Sequence, residues 1–178
     1  MRRFIALVLI GTVALAACGS AAKSTEPGAA SAPASSQAAA GAPVSGDCPA
    51  SGYTEGTYAG KTTHVNCGTA KATVKIGATV YEISGGQCAY DPSVGFAVNT
   101  GTNVIGTSDI AADGPQYFGV VLQPGSKGMA VGIVHGVSFV ITDGSGTDTV
   151  IVAADRKSGS VTGTATTTDD TISATFTC

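Results

Sequence analysis

Two histidines, His64 and His135, are the only imidazoles in this 178-residue sequence. A serine hydrolase would have to build its base on one of them, with an acid behind it and a nucleophile in front. Ser138 lies close to His135, but in an extended chain residues three apart face opposite sides. No Gly-x-Ser-x-Gly elbow occurs, and His135, followed by Gly136, reads as a turn or kink. The acids offer little more. Asp143, Ser145, Thr147 and Asp148 alternate like part of a calcium loop, but only two carboxylates are present and no glutamate closes it. That stretch reads as a turn. Asp109, Asp113, Asp169 and Asp170 read as solvated loop acids, and Asp91-Pro92 as a turn signal. Two hydroxyl rows, Thr162-Thr164-Thr166 and Thr171-Ser173-Thr175-Thr177, would form a flat hydroxyl face for sugars. Sugar sites usually add aromatic platforms, and here there is no Trp and the five Tyr are spread along the chain. A solvated sheet face is the expectation. The sequence therefore assigns no catalytic residue, no metal ligand, no cofactor and no ligand-binding residue.

What positions these residues begins at the N-terminus. Arg2 and Arg3 precede an apolar run from Phe4 to Leu15 and then small residues, the layout of a secretory signal peptide. The run is too short to span a bilayer, which takes about 20 residues. Its end, Leu15-Ala16-Ala17-Cys18, resembles the bacterial lipobox, in which the cysteine thiol is diacylated and the signal is cut before it. Cys18 is thus the expected lipidation site. Acyl chains contribute roughly 0.8 kcal/mol per buried methylene, enough for two or more to hold the chain at a membrane without a spanning helix. Residues 19–47 are mostly Ala, Ser, Gly and Pro. Such a stretch buries too little apolar surface to offset chain ordering and is expected to be a disordered tether, spanning roughly 30 Å as a flexible coil. Ser31, Ser35 and Ser36 beside Pro33 are candidates for O-glycosylation, with a bare spacer as the alternative. Charged residues make up 12% of the chain, about half the usual share. Without Arg2 and Arg3 there remain seven basic against twelve acidic residues and no basic cluster, which argues against nucleic acid as a partner.

From Cys48 onward the pattern has period two. Ala72-Val74-Ile76, Tyr81-Ile83, Val94-Phe96-Val98, Phe118-Val120-Leu122, Met129-Val131-Ile133, Val137-Phe139-Ile141 and Ile172-Ala174-Phe176 read as the apolar rows of strands. Gly85-Gly86, Asp113-Gly114-Pro115, Pro124-Gly125-Ser126 and Asp143-Gly144-Ser145-Gly146 read as turns. The last predicts a hairpin between 137–141 and 150–154, and Val150-Ile151-Val152-Ala153, apolar on both faces, predicts a central strand. Many short strands with turns every ten or so residues predict an all-β fold, an antiparallel β-sandwich or partly open barrel. The domain division is signal peptide 1–17, lipidated cysteine and linker 18–47, and sandwich 48–178. With Cys18 acylated, Cys48, Cys67, Cys88 and Cys178 remain, an even number that predicts two disulfides in an exported chain. Three pairings are open. Phase favours Cys67–Cys178, since Cys67 follows Val65 and Cys178 follows Phe176 on inward rows. Cys48–Cys88 follows by elimination.

Val134-His135-Gly136-Val137-Ser138-Phe139, Asp143-Gly144-Ser145-Gly146, Val161-Thr162-Gly163-Thr164-Ala165-Thr166 and the terminal Phe176-Thr177-Cys178 resemble the mycobacterial 19-kilodalton lipoprotein antigen family. Val65-Asn66-Cys67 with Val74-Lys75-Ile76-Gly77 is similar to that family's first cysteine strand, and the lipobox and tether match its layout. The resemblance covers roughly residues 60 to 178. It implies an acylated, often glycosylated envelope protein, met by host lipopeptide receptors, adhesin-like and suspected of carrying ligands. It also implies a Cys67–Cys178 bridge, while Cys48 and Cys88 depart from the family pattern. The expectation is a non-enzymatic surface lipoprotein, monomeric, anchored by acyl chains on Cys18 at the extracytoplasmic face of the cell membrane. Its candidate partners are cell-wall components, host receptors or an apolar ligand. The first alternative is a carrier of a lipid or other apolar ligand between the sheets. The second is a small secreted hydrolase or inhibitor.

Overall fold

A computed structural model describes residues 48–178 together with the two-residue strand Gln37–Ala38. The expected signal segment, Cys18 and the rest of the expected tether, with Ser31, Ser35 and Ser36, lie outside the described residues. The strands are β1 (Gln37–Ala38), β2 (Gly52–Tyr58), β3 (Lys61–Cys67), β4 (Lys71–Ile76), β5 (Thr79–Ser84), β6 (Gly86–Asp91), β7 (Gly95–Val104), β8 (Tyr117–Leu122), β9 (Met129–Val134), β10 (Val137–Thr142), β11 (Thr149–Val152), β12 (Ser158–Thr164) and β13 (Thr171–Thr177). The first sheet has the order β1-β5-β4-β13-β12-β11. The second has the order β10-β9-β8-β7-β3-β2, with β6 also paired to β7. Every pairing is antiparallel except the short β1–β5 bridge, in which Gln37 and Ala38 lie beside Tyr81 and Glu82 at the sheet edge.

The all-β sandwich expected from the alternation is the fold observed. Its core is built from the inward rows of both sheets. Val74, Ile172 and Phe176 from the first sheet meet Val98, Phe118, Val120, Phe139 and Ile141 from the second. Phe176 stacks on Phe96 at 5.9 Å between ring centroids and sits 6.4 Å from Phe118. The chain leaves the second sheet after β3 and returns to it after β5, at Gly68 and Gly85, both in left-handed conformations. On one side of β7, β6 pairs with residues 95–100 and β3 with residues 102–104. Gly101 stands at that change of partner with φ +74°, a conformation glycine adopts without steric cost. Its N–H donates to Gly85 O at 2.8 Å.

Several sequence expectations need correction. The disulfides are Cys48–Cys67 and Cys88–Cys178, not Cys67–Cys178 and Cys48–Cys88, with Cα–Cα distances of 5.6 Å in both. Cys67 ends β3, and its register partner is Gly52 at the start of β2. The chain entering β2 therefore brings Cys48 beside it. Cys178 lies just past β13 in the first sheet, and Cys88 on β6 belongs to the second, so this bridge staples the two sheets. The pairing implied by the family resemblance does not occur. The segments 137–142 and 149–152 do not form a hairpin either, because β10 and β11 lie in different sheets. β11 is an edge strand, not a central one, and Ile151 is 58% exposed. Val94 falls in the turn before β7 and is 68% exposed. Finally, β9 is in the opposite phase to that expected. Ala130 and Val134 are buried with Gly132 between them, while Met129, Val131 and Ile133 turn outward.

Candidate functional site

The reversed phase of β9 creates the most distinctive surface of the molecule. All six residues of β9, Met-Ala-Val-Gly-Ile-Val, are non-polar, so alternation cannot select its inner face. Volume does. Gly132 is in register with both Phe118 and Phe139, and a Cβ on Gly132 would run into the Phe139 ring. The small residues go inward to make room for the rings, and the large ones are left outside.

On that outer face Val121 lies opposite Met129, Val131 lies between Gly119 and Val140, and Ile133 lies between Tyr117 and Ser138. Val121, Met129 and Val140 are exposed. No Asp, Glu, Lys or Arg occupies an outward position of β7, β8, β9 or β10. Next to the apolar area, Tyr117 leans along β8 so that its ring rests on Gly119, at the place a Cβ would take. Its hydroxyl donates to Asn99 Oδ1 at 2.6 Å. Burial pushes the Tyr117 hydroxyl above the usual tyrosine pKa, so it stays protonated and keeps donating. Further along, Tyr53 stacks on His64 with centroids 4.1 Å apart. His64 is in register with Glu55 and Asn103, and its Nε2 lies 4.0 Å from Glu55 Oε1. The face is thus an apolar plate that grades into aromatic rings and amides. The tyrosines that looked scattered in the sequence are partly gathered, since Tyr53 and Tyr117 share this face.

The other residues singled out in the sequence fall elsewhere. His135 and Gly136, with φ of +51° and +76°, form the two-residue turn joining β9 to β10, as a tight hairpin requires. The His135 ring stacks over Tyr81 at 5.2 Å. Ser138 is a junction for loops. Its Oγ donates to Ser108 O at 3.1 Å, and its carbonyl accepts from Thr166 Oγ1 at 2.8 Å. Asp143 Oδ1 accepts the Val150 N–H at 3.3 Å, steering the chain from one sheet to the other. Asp91 caps the β6–β7 turn by accepting from the Ser93 hydroxyl and from the backbone N–H groups of Ser93 and Val94. Asp170 accepts from Thr168 within its own loop, and the Asp109 N–H donates to Thr107 Oγ1. Among the described residues no three His, Cys, Asp or Glu side chains are grouped as metal ligands would be.

The hydroxyl rows do come together on the outer face of the first sheet. Thr162 lies opposite Ser173, Thr164 opposite Thr171, and Thr175 between Ser160 and Thr73. Thr166 leaves the row to bond Ser138. A recess of about 240 Å³ lies over Thr73, Thr175, Thr177 and Lys71 on that face. A second, of about 330 Å³, opens where the β6–β7, β8–β9 and β11–β12 turns meet. A scan against protein-family models finds no match to this chain, and neither do searches of curated proteins and of solved structures.

Proposed function

We propose that this chain is a non-enzymatic, acylated protein of the cell-envelope surface that docks partners on the outer face of its second sheet. The observation that carries this reading is the uncharged plate with Val121, Met129 and Val140 exposed side by side. Contiguous apolar surface of this kind marks interaction sites more often than it is left bare. The anchor rests on the Leu15-Ala16-Ala17-Cys18 order, whose likeness to a lipobox supports a setting at the extracytoplasmic face of a membrane. The resemblance to the 19-kilodalton antigen family supports the same setting, although the cysteine pairing differs from the one that family implies. The closely packed Phe96, Phe118, Phe139 and Phe176 favour a surface role over a carrier with its ligand between the sheets. The hydrolase alternative draws less support still. His64 lies on an open sheet face, and the Ser138 hydroxyl is engaged with a backbone carbonyl.

Site-specific photocrosslinking in the native host tests the docking face. A crosslinking residue at Val140 should capture an envelope or surface partner, whereas one at Thr162 on the opposite face should not. Absence of any adduct from Val140, or equal adducts from both positions, rejects the reading. For the anchor, Cys18→Ala should abolish labelling by an alkynyl palmitate analogue and release the protein from the membrane fraction.

A further inference from the structure

The recess where three turns meet has features that the docking face does not use. Its lining includes the apolar Phe96, Leu122, Pro92 and Pro124 beside Gln123 and Ser126. Its volume of about 330 Å³ lies at the small end of ligand sites. At its rim stand Tyr90, half exposed, and Arg156, whose guanidinium carbon is 3.8 Å from the centre of the Tyr90 ring. Arg156 is the single arginine after the signal segment. Stacking uses the flat face of the guanidinium and leaves its N–H edge free. Among the described residues no carboxylate lies within 4.0 Å of it, the one ion pair at that distance being His64–Glu55.

The backbone at Arg156 sharpens the point. Ala153 O accepts the Arg156 N–H at 2.9 Å, and Arg156 itself has φ +57°. A tight hairpin turn that needs a left-handed residue at this place ordinarily takes glycine there. A long cation is an uncommon choice there; among the described residues only Ala59 and His135 share a positive φ without being glycine. The Cys88–Cys178 bridge lies next to it, since Cys178 Sγ is 3.4 Å from Arg156 O and the Cys178 N–H donates to Lys157 O at 2.9 Å. The rim is therefore held from two sides.

We propose that this recess binds a small amphiphilic carboxylate. Its apolar body lies on Phe96, Leu122 and the prolines, and its carboxylate pairs with the N–H edge of Arg156, in the fork-to-fork geometry that guanidinium and carboxylate share. No covalent step is involved. The site is separate from the plate on the second sheet and stands whether or not that plate docks a partner.

Because Arg156 is unique after the signal, the arginine reagent phenylglyoxal reports on it alone in the mature full chain, read by peptide mass spectrometry in lipid nanodiscs. Octanoate should slow labelling of Arg156 about tenfold in a saturable manner, whereas acetate, which lacks the body, and 1-octanol, which lacks the charge, should not. Protection by octanoate no greater than by acetate or octanol overturns the proposal. Equilibrium dialysis of radiolabelled octanoate against Arg156→Gly gives the second readout. Glycine relieves the left-handed backbone, so this variant should melt no lower than the parent and yet lose saturable octanoate binding. Retained binding, or a lowered melting temperature with binding unchanged, makes Arg156 a structural residue and overturns the proposal.

Discussion

Gly132 decides which way a whole strand faces, and it does so by having no side chain. Phe139 fills the space where its Cβ would be. Gly132→Ala should therefore cost about 1–3 kcal/mol, the usual range for overpacking a filled core, measured by urea denaturation. Asp91 offers a test by pH. The Ser93 hydroxyl, then the Ser93 N–H, hold its carboxyl below the ordinary aspartate value of 3.8, more than burial raises it. A group depressed in this way stabilises the fold at pH above its unfolded pKa and loses that contribution as pH falls through its folded pKa. A ¹³C titration should place the Asp91 midpoint below that of an unfolded-chain aspartate, and Ser93→Ala should move it upward. Tyr117 behaves in the opposite sense at the alkaline end. Burial raises its pKa, so its contribution is complete below the unfolded tyrosine pKa and is lost as pH rises through the folded one.

At the level of strands, the plate on the second sheet should tolerate charge where the core does not. Val140→Glu and Met129→Lys replace exposed side chains and should change stability by no more than about 0.5 kcal/mol while abolishing the crosslinks expected from that face. Ala130→Asp, one residue from Met129 but fully buried, should prevent folding, because an unpaired charge in the core is neither solvated nor compensated. Circular dichroism and crosslinking together separate the two outcomes. The same strands show what was legible beforehand. β4 and β13 alternate an apolar residue with a hydroxyl or lysine, so pattern alone names their inner faces. β9 has no polar residue to mark a face, and its phase was set by Phe139, a residue on the neighbouring strand. β11 is apolar on both faces after Thr149 and reads as central for the same reason. The Asp143-Gly146 turn was visible, but a turn does not say whether the next strand stays in the sheet. The apolar outer face of the second sheet escaped the sequence because it depends on the phase of β9, together with the lateral order that brings Tyr53 and His64 on β2 and β3 to the same face as Tyr117, across β7.

Across the whole molecule, parity named Cys67 as inward, and it is buried, but Cys178 stands exposed just past β13, and parity carried no information on which strands would be neighbours. Cys48–Cys67 spans 19 residues and Cys88–Cys178 spans 90. In the chain-entropy account the shorter loop contributes about 3 kcal/mol and the longer nearly 5 kcal/mol. The pair Cys88→Ala with Cys178→Ala should therefore destabilise the domain more than Cys48→Ala with Cys67→Ala, by about 1–1.5 kcal/mol in matched denaturation curves. The two loops follow one another along the chain without overlap, and together they enclose every described strand from β2 onward except β4, β5 and the first two residues of β6.

That arrangement has a mechanical meaning. A pull applied between residues 48 and 178 passes through the first bridge to Cys67 and through the second from Cys88. Only the chain between those two cysteines, the β4–β5 hairpin, can pay out under tension, an extension of about 7 nm at the reach of a stretched backbone. A domain pulled at those two ends would yield by that short length and then stop, with most of its strands still sealed inside covalent rings.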